Sequence, residues 1–133
     1  MVSDLKGFVD NLMKKVALGV VANLARAPSD GGTPVDTGWA RSNWVPQIGS
    51  PKKDPSGTYD QAKAGILPGD QQVGLAAIAV GYKVSRGPIY ITNNVPYITK
   101  LDMGSSTQAP RGFIRRAIKK AVTVDLLTLS SRG

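Results

Sequence analysis

The stretch "GPIYITNNVPYITKLDMGSSTQAPRGFIRRAI", Gly87 to Ile118, decides how the chain is put together. Ile89, Tyr90, Ile91 and Thr92 are strand formers, bounded by Pro88 on one side and Asn93-Asn94 on the other. Pro96 opens a short helix over Tyr97 to Met103, which Gly104 stops. Pro110 to Gly112 then launches a helix over 112–125. Its apolar residues, Phe113, Ile114, Ala117, Ile118, Ala121 and Val124, recur at three- and four-residue steps. Arg115, Arg116, Lys119 and Lys120 lie opposite. A strand, a short helix and an amphipathic helix in immediate succession point to a mixed architecture.

Upstream, Leu5, Phe8, Val9, Leu12, Val16 and Val20 repeat on one face of a long helix over 4–27, with Asp4, Lys6, Asp10, Asn11, Lys14 and Lys15 on the other. Ser3 is its expected N-cap, and Pro28 with "SDGG" stops it. Beyond Val16 this helix is apolar almost all round, so it is either central to the core or covered by a partner. "TPVDTGWARSNWVPQIGSP" follows, with turn chemistry at Thr33-Pro34 and Asp36-Thr37-Gly38. Trp39 to Ile48 reads either as a strand or as a helical turn leading into one. Trp39 and Trp44 are candidates both for core anchors and for a partner-facing surface. Residues 49–69 alternate Pro, Gly, Ser and Lys without a period and read as an extended, mobile loop. Asp70 is the expected N-cap of a helix closing at Gly81, with Val73, Ala76, Ala77 and Val80 at helical spacing. The chain is the size of one domain.

Composition excludes most catalytic chemistries. The 133 residues include no Cys and no His, and all nine acidic residues are Asp. That removes disulfides, thiolate and imidazole metal sites, and any Ser-His-Asp or Cys-His arrangement. The glycines follow neither phosphate-loop nor dinucleotide spacing. Asp36, Asp60, Asp70 and Asp102 sit in turn or cap contexts. The expectation is a protein without catalytic activity, cofactor or metal. Lys and Arg number 17, for a net charge of +8, which favours polyanions or acidic protein surfaces. The alternative function this balance supports is a small cytoplasmic DNA-binding protein using the basic helix, although no helix-turn-helix or zinc module is present. The first residues show no signal-peptide pattern, and the longest apolar run, Val16 to Ala22, is too short to span a bilayer. Synthesis in the cytoplasm is expected, with no membrane partner.

Two strings, "TPVDTGWARSNW" after a long first helix and "IYITNNVPYITKLDMGSSTQAPRGFIRRAI" before a last one, together resemble the tail-completion or head–tail joining (neck) family of long-tailed phages. The residues carrying the resemblance are Thr33, Pro34, Asp36, Thr37 and Gly38; Asn94, Pro96, Tyr97, Leu101, Asp102 and Gly104; and Gln108, Ala109, Pro110 and Gly112. Asp102 stands where relatives often carry Glu. The resemblance implies an α+β fold, a small antiparallel or mixed sheet packed by a long N-terminal helix and a C-terminal amphipathic helix. It also implies a structural virion protein assembled in the host bacterial cytoplasm. It would be a subunit of a typically hexameric ring that completes the head-proximal end of the tail and leaves a DNA channel. The implied partners are further copies of the chain, tail terminator or tube proteins and the head connector, with DNA passing through without specific binding. Candidate interface residues are Trp39, Trp44, Tyr97, Arg115, Arg116, Lys119 and Lys120.

Overall fold

In the computed structural model, which describes residues 2–35, 37–104 and 111–132 and side chains over 5–35, 37–104 and 111–124, two long helices pack along one another. The first, α1, runs Val2–Ala25, and the last, α6, runs Phe113–Arg132. Between them come α2 (Trp39–Ser42), β1 (Val45–Ile48), α3 (Tyr59–Lys63), α4 (Asp70–Gly81), β2 (Ile89–Thr92) and α5 (Ile98–Asp102). The fold is α+β, as the sequence predicts. Its sheet is a two-stranded antiparallel ribbon with Val45 opposite Thr92 and Ile48 opposite Ile89.

The core lies where α1 crosses α6. Val20, Val21 and Leu24 of α1 meet Phe113, Ala117 and Ala121 of α6, with Trp44 closing the end. Small residues let the helices approach: a methyl group built on Gly19 would lie 3.3 Å from the Ala121 Cβ. Asn23 Nδ2 donates to the Ala117 carbonyl at 3.1 Å and fixes their register. Phe113, Leu24 and Val21 are fully buried, each stabilising the fold by about 1.5–3 kcal/mol. The second half of α1 is therefore central to the core, one of its two expected fates.

The first half of α1 is different. Leu5, at 63% exposure, and Phe8 stand outside the core, although the sequence periodicity places them on the packing face. Beside this half lies the turn after α4, where Val84 N–H donates to Asp10, but Leu5 and Phe8 stay exposed. The helix begins at Val2, so Ser3 lies inside it rather than at its N-cap. Likewise Gly69, not Asp70, is the N-cap of α4.

The packing face of α4 is also not the apolar one. Gln71 and Ile78 are buried, whereas Val73 and Val80 are exposed, Val80 at 87%. Gly74 explains this. A methyl group there would sit 2.3 Å from the Pro46 carbonyl oxygen, so the bare backbone of α4 lies directly on β1. Pro46 is tolerated in the ribbon because Gly49 N–H donates to Pro88 O at 2.8 Å. Counting back along the ladder puts Pro46 at a position whose missing N–H faces away from β2.

Candidate functional site

The turn Thr33 to Gly38 locks the end of α1 to the segment that follows it. Thr33 is fully buried. Its hydroxyl donates to the Leu24 carbonyl at 2.8 Å and accepts the Trp44 indole N–H at 2.7 Å. One side chain thus satisfies a helix-terminal carbonyl and a buried indole. Gly38 has φ 90°, a left-handed conformation that makes it the N-cap of α2. Thr37 Oγ1 accepts Trp39 N–H at 3.3 Å. Trp39 to Ser42 is thus the helical turn, with β1 following, of the two alternatives open from sequence.

Trp39 joins the two motif strings. Its ring lies 6.0 Å from that of Tyr97 and 6.3 Å, edge-on, from that of Tyr59. Val95 and Ala40 are buried in the same cluster, and Leu101 packs against it. Asn93 reinforces the junction, donating to Ala40 O at 2.8 Å while accepting Val95 N–H at 3.1 Å. Residues more than fifty positions apart in sequence therefore form one unit. Both tryptophans are buried within the chain. This corrects their candidacy as interface residues, because their indoles are committed to Ser56 and Thr33 inside the protein.

The 49–69 connection is tied down in two places and is not extended throughout. Asn43 is buried and holds Ser56 from both sides, donating to Ser56 O at 3.1 Å and accepting Ser56 N–H at 2.6 Å. Asn94 donates to Lys52 O at 2.9 Å. Within the connection, α3 starts with a capping box: Thr58 accepts Gln61 N–H at 3.1 Å, and the Gln61 side chain returns to Thr58 N–H at 3.0 Å. Asn43, Ser56 and Asn93 were not singled out from sequence. Asn43 and Asn93 bond backbone groups of distant segments, and Ser56 is held by the distant side chains of Asn43, Trp39 and Asp70, which no local pattern announces. The double Asn was legible only as the end of β2.

Asp102 anchors the last helix. Its carboxylate accepts Ile114 N–H at 3.1 Å, and its carbonyl accepts Gly112 N–H at 2.7 Å. An acid at the N-terminus of α6 satisfies an orphan donor and favours the helix dipole. Leu101 supports the position by packing into the core, and Pro96 shapes the turn closed by Ile98 N–H to Val95 O at 3.1 Å. Gly104 and Gly112 flank the join with φ 93° and 82°. Pro34 is buried beside Thr33. Asp36, Gln108, Ala109 and Pro110 lie outside the described residues.

Two further acids, Asp70 and Asp10, also have structural partners. Asp70 accepts the Ser56 hydroxyl and pairs with Lys52 at 3.7 Å. Asp10 accepts Val84 N–H at 2.7 Å, holding the turn after α4 against α1. Among the described residues every buried side-chain nitrogen and oxygen has a hydrogen-bond partner, and no three acidic groups come together. No described helix is long and apolar enough to cross a membrane.

Two kinds of group face outward. Arg115, Arg116, Lys119 and Lys120 are exposed along α6. Apolar side chains are exposed in two places. Near the start of α1, Leu5 and Val9 line a groove of about 730 Å³ with Val84. Elsewhere, Ile66 and Leu67 stand exposed, with Leu67 against Gly38. No protein-family model, curated protein or solved structure matches the chain.

Proposed function

We propose that the protein is a structural ring subunit of a phage head–tail junction, completing the upper end of the tail and leaving a channel for DNA. The carrying observation is a pair of separate exposed apolar surfaces, the Leu5–Val84 groove beside the start of α1 and Ile66 with Leu67 beside Gly38. A cyclic ring closes through heterologous contacts, in which each subunit offers two unlike patches. These two surfaces fit that requirement. The resemblance of the two sequence strings to neck proteins supplies the kind of ring, and the Trp39–Tyr97–Asn93 junction gives those strings a common structural purpose. The work is mechanical, with no catalytic residue and no cofactor.

Electron microscopy of lysates made without the protein tests this. Finished heads and finished tails that do not join are expected; normal virions would sink the proposal. Sedimentation of the purified chain supplies a second measurement, in which Phe8→Ser should shift assembled rings toward monomer.

A further inference from the structure

The outward side of α6 combines two chemistries on one stripe. Arg115, Ile118, Lys119 and Val122 fall within about 100° of arc at 3.6 residues per turn, centred about 150° round the helix from buried Phe113, Ala117 and Ala121. The sequence pattern assigns Ile118 to the packing face, yet it is 44% exposed, and Val122 is exposed below it. The core needs only the narrow small-residue seam against α1, so Ile118 is left outside. There it lines a shallow groove of about 410 Å³ with Ile114, Arg115, Lys119 and Asp102. The Asp102 carboxylate in that groove is engaged by the Ile114 N–H. Among the described residues, Arg115, Lys119 and Lys120 have no ion-pair partner.

We infer that this stripe is the docking site for an acidic amphipathic segment of a different protein, whose apolar side chains cover Ile118 and Val122 while its carboxylates meet Arg115 and Lys119. A DNA backbone would use the cations, but phosphate and sugar contacts come from charged and polar groups and give the central aliphatics nothing to do. A partner helix uses both, because apolar anchors in a groove with a charged rim are the usual anatomy of helix docking. A second copy of this chain is the wrong occupant. It carries a net charge of +8 and no Glu, and its Asp10, Asp70 and Asp102 are already hydrogen-bonded internally. The occupant is therefore a net-acidic neighbour. This deepens the neck proposal, on which it rests only for the assembly in which that neighbour is found.

Fluorescence anisotropy of the full chain tests it with three labelled probes. One is an amphipathic Leu/Glu peptide of about 20 residues, long enough to form a helix. The second has every Leu replaced by Ser at the same charge, and the third is a DNA duplex of about 20 base pairs, spanning many phosphates. The Leu/Glu peptide should bind best. Ile118→Ser should weaken it about tenfold, and the double variant Arg115→Gln with Lys119→Gln by at least as much, both retaining wild-type circular dichroism. Three results overturn the inference: equal binding of the Leu-free peptide, tighter and steeply salt-dependent binding of DNA that Ile118→Ser leaves unchanged, or no binding of the Leu/Glu peptide. Lysates separate this from the neck proposal. Unjoined heads and tails with no peptide binding remove only the docking site; peptide binding with normal virions removes only the neck role.

Discussion

Replacing Gly74 by Ala tests the packing of α4 on β1, and replacing Gly7 by Ala supplies its control. Both glycines lie within helices, where Gly→Ala ordinarily stabilises by about 1 kcal/mol. At Gly7 a methyl group would meet nothing within 4 Å, so the variant should be more stable by about 0.5–1 kcal/mol. At Gly74 the same methyl would lie 2.3 Å from Pro46 O and 3.0 Å from Pro46 Cδ. That is about 1 Å inside an ordinary contact, and the obstacle is backbone, which cannot rotate away. Either α4 lifts from β1 or the ribbon bends, at a cost of about 2–3 kcal/mol, the upper part of the range for overpacking. Subtracting the gain in helix propensity leaves Gly74→Ala destabilised by about 1–2 kcal/mol. Urea denaturation followed by tryptophan fluorescence measures both, as does the thermal midpoint, which should move about 3–6 °C per kcal/mol for a chain of this size. The two variants should shift in opposite directions. If Gly74→Ala proved as stable as the wild type, the close seating of α4 on β1 would be refuted.

Three further substitutions address the ties between segments. Thr33→Val strands the Trp44 indole N–H and removes a bond to Leu24 O, and should lower stability by about 2–3 kcal/mol in the same urea titration. Asn43→Ala leaves the Ser56 N–H without its buried partner, although the Ser56 carbonyl keeps the Trp39 indole; a loss of about 2 kcal/mol is expected, together with faster tryptic cleavage at Lys52 and Lys53, read by mass spectrometry. Asp102→Ala should cost about 1 kcal/mol, and Asp102→Asn, which keeps an acceptor, only a few tenths. Hydrogen exchange at the Ile114 amide should speed up in the first and barely change in the second.

Elements with a strong local period were legible: α1, β2 and α5 stand close to where their patterns put them, and α6 starts where expected but runs on to Arg132, past the end of its apolar period near 125. Which face each helix buries was not. In α4 the apolar residues Val73 and Val80 announce one face, but the glycine that permits close approach selects another. A missing side chain leaves no mark in a hydrophobic pattern. In α6 the predicted apolar face is wider than the α1 seam can cover, and Ile118 and Val124 are left exposed. The helix α3 did carry a signal, the Thr-x-x-Gln spacing of Thr58 and Gln61, obscured by the Pro, Gly and Lys around it. The tryptophans drew attention for their size, while of the polar groups that hold them Thr33 looked like an ordinary turn residue and Asn43 like one more position of a strand.

A two-stranded ribbon is marginal by itself, so most of the order between α1 and α6 has to come from elsewhere. Thr33, Asn43, Asn93, Asn94 and Asp102 supply it by bonding backbone groups of other segments. Spending polar side chains this way has a chemical consequence. These side chains are turned onto peptide N–H and C=O, while the outward surface of α6 keeps cations and aliphatics. Those are the two chemistries of association between macromolecules. Changes at the tying residues should therefore be felt as stability, and changes at Leu5, Phe8, Ile118, Arg115 or Lys119 as altered partners with the fold intact. A chain whose tying residues and outward residues could not be separated in this way, by measuring folding and assembly on the same variants, would not be built as the side-chain ties require.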